Sequence, residues 1–85
     1  NHPNPFNPAT TLSFSLPGKS HVSLSIFDVE GRLVRTLVNE VLTGGFKAYE
    51  WNGNDNNGIS VSSGVYFYRL RAGDKTLTKK MVLIK

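Results

Sequence analysis

The chain has 85 residues, no cysteine, and ten Lys and Arg residues against six Asp and Glu, which gives a formal net charge of +4 at pH 7. A chain of this length forms one domain that buries about three-fifths to two-thirds of its unfolded surface, so a large enclosed active-site cavity is not expected. Without cysteine, neither disulfides nor thiolate metal sites can supplement the apolar core, and no apolar run approaches the roughly twenty residues that span a bilayer.

The first nine residues are predicted to form an extended leader. They contain three of the chain's four prolines, which fix the backbone torsion and remove amide donors, so they cannot form a central strand. Phe6 is placed to close one end of the domain that follows over residues 10–85. Because the sequence begins at Asn1 without a charged-then-apolar leader, we expect a module of a longer protein whose parent carries any export signal.

Two strands are predicted next. Apolar and polar residues alternate over Thr10–Leu16, as in a half-buried strand, and Pro17-Gly18 then suits the tight turn of a hairpin. The second strand runs from His21 to about Asp28. In the turn Asp28–Arg32 we expect Gly31 to adopt positive φ, a conformation that a side chain would penalise.

The stretch that follows has two interpretations. Five of its apolar residues have helical spacing, yet Leu33–Val38 is rich in strand formers and comes directly after a hairpin turn. We predict a strand to about Val38 and then a loop over 39–45. A fourth strand is predicted over Phe46–Trp51, with Trp51 in the core. The residues with helical spacing are Val34, Leu37, Val38, Val41 and Leu42.

Three further strands are predicted in the second half of the chain. A polar turn cluster over Asn52–Gly58 leads to a short edge strand around Ile59–Val61. The central strand then lies within Ser62–Ala72, and a hairpin turn leads to a final strand over Thr76–Ile84. Seven short antiparallel strands separated by turns are typical of an immunoglobulin-like β-sandwich, so the fold class is all-β. Pairing of the first and last strands is a further guess.

The central strand is expected to organise the domain. Tyr66, Tyr68 and Leu70 share one face and are predicted to point inward. Gly64 permits a tight entry to the strand, and Tyr66, two residues later, can return its hydroxyl to nearby backbone, as in the tyrosine corner of immunoglobulin-like domains. We therefore expect an architectural role for Tyr66.

Five segments together resemble one family, the type A C-terminal sorting domain of the type IX secretion system in Bacteroidetes. Their order and spacing span essentially the whole chain. The sequence departs from the family at Asn52, where an Asp usually follows the tryptophan. The segments are residues 3–11 (Pro3, Asn4, Pro5, Phe6, Asn7, Pro8, Ala9, Thr10 and Thr11), Asp28–Arg32, Trp51–Gly53, Ser63–Leu70 and Lys80–Lys85.

The resemblance implies a non-catalytic signal at the end of an exported protein. Such a domain is read in the periplasm by an outer-membrane translocon, and in many members a sortase-like peptidase then removes it and attaches the cargo to the cell surface. The family's immunoglobulin-like sandwich is also similar to a domain of the flagellar hook-cap protein. Carried over by position, the recognition residues are Pro3, Asn4, Pro5, Phe6, Asn7, Pro8, Gly31, Gly64, Tyr66, Lys80 and Lys85.

Other readings of particular residues stay open at this point. The lysines of the last eleven residues suit docking on an acidic surface, but edge strands also carry lysine to prevent unwanted pairing. The aromatic residues could include a sugar-binding platform, although in a small sandwich they more often form the core. An immunoglobulin-like spacer, or a carbohydrate-binding module of a secreted enzyme, is therefore the alternative function.

We expect no cofactor, no nucleic-acid partner and no enzymatic activity. Residues 52–58 have the oxygen density of a calcium loop, but only Asp55 is a carboxylate there, Asn57 stands where the loop needs Gly and Ser63 where it needs the bidentate Glu. His2 and His21 are not near a Ser or Asp pattern that predicts a triad. The basic residues are spread without a nucleic-acid recognition signature.

Overall fold

The computed structural model describes residues 10–84, which form six antiparallel strands in two sheets. A small sheet pairs β1 with β4, and a large sheet has the order β3-β2-β5-β6. The strands are β1 Thr10–Leu16, β2 Ser20–Phe27, β3 Leu33–Leu42, β4 Gly45–Trp51, β5 Gly64–Ala72 and β6 Lys75–Leu83. The predicted all-β sandwich is confirmed. No helix within 10–84 is long and apolar enough to cross a membrane.

The core lies between the two sheets and is built from alternate residues of the strands, as the pleat requires. Trp51 of the small sheet is 1% exposed, which confirms its predicted place in the core. On β5, Tyr66 is buried and Tyr68 and Leu70 are half-buried against the same cluster, so the predicted inward face is also confirmed. The fully packed residues are Leu12, Leu16, Val22, Leu24, Ile26, Val34, Val38, Trp51, Tyr66 and Leu83.

The connections fall into two kinds. The β2–β3 and β5–β6 links are hairpins within the large sheet, whereas the β1–β2, β3–β4 and β4–β5 links cross between the sheets. The predicted hairpin at Pro17-Gly18 is therefore wrong, because a Pro-Gly turn reverses the chain equally well within one sheet or between two. The β1–β2 and β3–β4 links touch each other, since a Cβ added at Gly44 would lie 3.0 Å from the Cα of Gly18.

The third strand is longer than predicted. It runs to Leu42, which pairs with Ser20, so most of the loop expected over 39–45 is strand. The register with β2 shifts twice, between Leu24 and Ser25 and between Ile26 and Phe27. Such irregularities interrupt the period-two alternation, and they explain why the apolar spacing in this stretch looked helical. The β2, β4 and β6 strands each begin one residue earlier than predicted.

Two other predictions are wrong. The short strand expected around Ile59–Val61 is a loop, because its residues bond to the preceding turn: Ser60 forms an isolated bridge with Asn54, and the Val61 N–H donates to the Gly53 carbonyl at 2.9 Å. The described residues therefore hold six strands instead of seven. The first and last strands do not pair, since β1 and β6 lie in different sheets.

Candidate recognition surface

Three of the predicted recognition residues come together at one end of the sandwich. Gly31 lies in the β2–β3 turn, and Gly64 and Tyr66 lie at the start of β5. The turn and the start of β5 line one shallow cleft of about 270 Å³. We call this the hairpin end, defined by residues 28–32 and 62–66. The predicted leader residues Pro3, Asn4, Pro5, Phe6, Asn7 and Pro8, and also Lys85, lie outside the described residues.

The predicted tyrosine corner is confirmed. The Tyr66 hydroxyl donates to the Ser62 carbonyl oxygen at 2.6 Å, and the ring meets Trp51 edge to face, with centroids 5.2 Å apart. The Trp51 Nε1–H donates to the Asn54 carbonyl at 2.9 Å. Both buried aromatic side chains thus have their polar atoms bonded, which removes the cost of burying them unpaired. Tyr66 fixes the approach to β5 and is not displayed.

The β2–β3 turn is held by one carboxylate. Asp28 Oδ1 accepts the backbone N–H of Glu30 and of Arg32, each at 2.9 Å. The Arg32 Nε–H donates to Asp28 Oδ2 at 2.9 Å, and its guanidinium also pairs with Glu30. Gly31 has φ 84°, as predicted, and its N–H donates to the Asp28 carbonyl at 3.0 Å. The turn therefore has one preferred geometry.

These bonds also set the electrostatics of the turn. The Arg32 backbone N–H makes the largest contribution to lowering the pKa of Asp28, because it stabilises the charged form. Desolvation, the next largest effect, opposes it, and the Arg32 side chain and the Glu30 N–H lower the pKa further. The Asp28 carboxylate in turn raises the pKa of Arg32, with a further contribution from Glu30. The group is exposed, so solvent weakens its contribution to stability.

A second turn repeats this geometry, and sequence reasoning missed it. Asp55 Oδ1 accepts the N–H of Asn57 at 2.9 Å and of Ile59 at 3.0 Å, which matches the two bonds of Asp28. Gly58 has φ 81°, and its N–H donates to the Asp55 carbonyl at 3.0 Å. The shared signal is Asp followed three residues later by Gly, at 28 and 31 and again at 55 and 58.

The second turn is attached to the outer edge of β3. The Asn56 N–H donates to the Val34 carbonyl at 3.0 Å, and the Thr36 N–H donates to Asn56 Oδ1 at 2.9 Å. Arg35 Nη1 also donates to the Asp55 carbonyl, at 3.2 Å. The Oδ1 atoms of Asn52, Asp55 and Asn56 thus accept backbone N–H groups, which supports the interpretation of this segment as a turn.

The lysines of the last strand do not form one row. Lys80 lies opposite Phe67, on the outer face of the large sheet, whereas Lys79 lies opposite the inward-facing Tyr68 and shares its face with Lys75. All three side chains are exposed. Lys80 is thus presented to solvent one strand away from Gly64 and Tyr66, and it is the described lysine that adjoins the hairpin end on its outer side.

The aromatic residues do not form a common platform. Trp51 and Tyr66 are buried and meet edge to face. Phe14 and Tyr49 stack with each other along the small sheet, with ring centroids 6.1 Å apart, and Phe27 lies under the Arg69 guanidinium. The rings are therefore used in separate packing contacts, which favours the core interpretation over a sugar-binding surface.

The fold is shared with known structures. The crystal structure of FlgD from P. aeruginosa matches with a TM-score of 0.67 and 24% identity, over 88% of this chain and 60% of that one. FlgD from Xanthomonas campestris, described in connection with hook capping in flagellar assembly, matches with a TM-score of 0.68 and 19% identity, over 91% and 56%. This chain spans less than two thirds of either protein, and identities this low show the fold alone. No curated protein matches the sequence.

The sequence itself matches one family profile, described as the secretion system C-terminal sorting domain, over residues 2–85. The match spans the leader and all six strands, and thus all the segments that carried the resemblance. The chain belongs to this family and is a C-terminal sorting domain of type IX secretion.

Proposed function

We propose that this domain directs a larger protein, of which it is a part, across the outer membrane through the type IX system and towards secretion or the cell surface. It acts as a binding surface for the outer-membrane translocon and carries out no chemistry itself. Family membership over residues 2–85 supports this role. Removal of the domain by a sortase-like peptidase, with attachment of the cargo to the surface, belongs to the same proposal.

The observation that carries the mechanism is the assembly of the hairpin end. Gly31 and Gly64 are far apart in the sequence, but their turns line one cleft in the fold. Thr10, where β1 begins, pairs with Trp51, and Leu83, where β6 ends, pairs with Gly64, so both are also at this end. A receptor that reads these elements together must bind the folded domain.

Lys80 is proposed to guide docking on an acidic receptor surface. It is exposed beside the hairpin end, and the chain carries a formal net charge of +4. Charges of this kind steer association and act over about 8–10 Å at physiological salt. In contrast, an immunoglobulin-like spacer would need no such receptor and need not stand last in its parent protein.

The test is a fusion of residues 1–85 to the C-terminus of a fluorescent reporter that carries a signal for inner-membrane export, expressed in a host with a type IX system. We expect the reporter outside the outer membrane or on the cell surface. Retention in the periplasm, while a native sorting domain exports the same reporter, would contradict the proposal.

A charge reversal tests the docking step. Lys80→Glu should weaken receptor binding about tenfold at low salt and less at high salt, because it turns an attraction into a repulsion. The matched control is Arg71→Glu, on the same face of the sheet but at its other end, where Arg71 lies opposite Thr76. Equal affinity for the Lys80 variant and the unchanged chain would show that this lysine only protects a strand edge.

A further inference from the structure

The two sheets differ in width, and the smaller one leaves part of the core face open. Two strands lie over four. Along the inward face of β6, exposure rises with distance from the hairpin end: Leu83 is 2% exposed, Met81 is half-buried and Leu77 is 46% exposed. Leu77 lies opposite Leu70, which packs against the core. An apolar floor is therefore uncovered at the end opposite the hairpin end.

This floor belongs to a cleft beside the end of β1. The cleft has a volume of about 740 Å³, and Leu70, Ala72 and Leu77 line it from the large sheet. Ser15 and Leu16 line it from β1. The charged residues that line the cleft are Lys19, Lys75 and Asp74, so its polar rim has an excess of positive charge. The cleft thus combines an apolar floor, a strand edge and a basic end.

The edge of β1 that adjoins the cleft is unusual among the edges of the two sheets. Within residues 10–84, β1 is hydrogen-bonded to β4 alone, and its sequence, Thr-Thr-Leu-Ser-Phe-Ser-Leu, carries no charge. The other three edge strands contain Arg35 and Glu40, Lys47 and Glu50, or three lysines, and β3 is also bonded by Asn56. Natural edges are normally protected by such charges or by cover. Among the four edge strands of the described residues, β1 is the one that carries no such charge.

We propose that β1 and this cleft bind an extended segment of another protein as a third strand of the small sheet. Backbone bonds to β1 would hold the segment, and alternate apolar side chains would lie on Leu70 and Leu77. In the antiparallel orientation that all pairs in this fold adopt, the N-terminal end of the segment lies beside Leu16, close to Lys19 and Lys75. The segment is therefore acidic at its N-terminal end and apolar at every second residue after it.

A second copy of this chain does not suit the site. β6 lies beneath the open side of β1, as the residues that line the cleft show. If a second copy paired its own β1 with this edge, its β6 would lie beneath the β1–β1 pair. That space is already occupied by β6 of the first copy, so the two would clash. A copy that presented β6 would bring three lysines towards Lys19 and Lys75. The occupant is thus a single strand of opposite charge, and the site does not depend on the sorting function.

The probe that tests the site is the fluorescent peptide acetyl-Asp-Thr-Val-Thr-Val-Thr-Val-amide, titrated against the full chain of 85 residues. We expect binding that shifts the amide signals of β1 in a nuclear magnetic resonance titration. A peptide of the same composition without the alternation, acetyl-Asp-Val-Val-Thr-Thr-Val-Thr-amide, should bind about tenfold more weakly, because it loses apolar contacts on the floor. Equal affinity of the two peptides would overturn the proposal, as would no binding of the first.

Two variants locate the site. Leu77→Asp should weaken binding of the probe about tenfold or more, because it places a charge on the apolar floor. Val41→Asp is the matched control, since Val41 is 54% exposed on the opposite edge of the same sheet, and it should leave the affinity unchanged within about twofold. Circular dichroism checks that both variants fold. An equal loss in both would show that the peptide does not occupy the cleft.

Competition and sedimentation experiments test two other possible occupants of the cleft, the chain's own leader and a second copy of the chain. A synthetic peptide with the sequence of residues 1–9, added to the complex, should not displace the probe, and sedimentation should give one monomeric species with or without it. Displacement by the leader peptide would assign the cleft to the chain's own leader, and a dimer that the probe dissociates would assign it to a second copy. Either result overturns the proposal.

Discussion

The two ends of the sandwich are built in different ways. At the hairpin end, specific polar bonds fix the backbone: Asp28 holds one turn, and the Tyr66 hydroxyl holds the entry to β5. At the other end, which we call the crossing end, the β1–β2 and β3–β4 links between the sheets touch through Gly18 and Gly44, and an apolar floor is left uncovered. The difference teaches that Gly31, Gly64 and Tyr66, three of the predicted recognition residues, lie where specific bonds determine the backbone geometry, whereas the proposed strand-binding site lies at the open end.

The largest expected contrast concerns two aromatic residues of β4. Trp51→Ala should lower the free energy of unfolding by about 3–5 kcal/mol, because it leaves a cavity in the core. Phe46→Ala, at the crossing end of the same strand, should change it by less than about 0.5 kcal/mol, because Phe46 is 70% exposed. Urea unfolding followed by circular dichroism measures both. Similar losses would mean that the crossing end is packed as tightly as the hairpin end.

The next contrast compares two tyrosines on one face of β5. Tyr66→Phe should lower the free energy of unfolding by about 1 kcal/mol, because the bond to the Ser62 carbonyl is lost while the ring stays buried. The described residues give the Tyr68 hydroxyl no such bond, so Tyr68→Phe should have a smaller effect. The same urea titration distinguishes them, and a Tyr68 loss as large as that of Tyr66 would contradict a special role for the tyrosine corner.

The smallest effect is expected from the carboxylate of the hairpin turn. The folded state lowers the pKa of Asp28, so its contribution to stability is present above the unfolded value of about 3.9 and is lost as the pH falls through the folded value. The unchanged chain should therefore be more stable than Asp28→Asn at pH 7, and this difference should shrink below about pH 4.

Thermal melting over this pH range measures the difference. Asp74→Asn, in the β5–β6 turn at the crossing end, is the matched control and shows the effect of removing one carboxylate from the chain. A melting-temperature difference for Asp28→Asn that stays constant from pH 7 to pH 3 would show that the carboxylate does not hold the turn in its charged form.

Features that depend on neighbouring residues were predictable from the sequence. The alternation of β1, the positive φ of Gly31 and the inward face of β5 follow from local sterics and the period of the strand, and the structure confirms each of them. The candidate site was predictable to the same degree. The motif residues Gly31, Gly64 and Tyr66 were named individually, but their meeting at one end is a property of the fold.

Features that depend on distant residues were not predictable. The Pro-Gly sequence after β1 is compatible both with a turn within a sheet and with a crossing between sheets. The strand that pairs with β1 could therefore not be predicted from it. The register shifts of β3 against β2 interrupt the period-two alternation, so the apolar residues of this strand have helical spacing. The repeated Asp-turn at 55–58 was predictable from its spacing, which matches that at 28–31, but the Asn residues around it also give the segment the oxygen density of a calcium loop.

The different connections of the two sheets also affect the order in which they assemble. Each hairpin of the large sheet joins strands that are neighbours in the chain, whereas β1 must find β4 with Leu16 opposite Gly45 and Thr10 opposite Trp51. Pairing β1 with β4 closes a loop that contains β2 and β3, which costs more conformational entropy than forming a hairpin turn. The small sheet is therefore expected to close after the hairpins have formed and to detach before they do, so that a partly opened domain would keep its Gly31 turn while β1 is released.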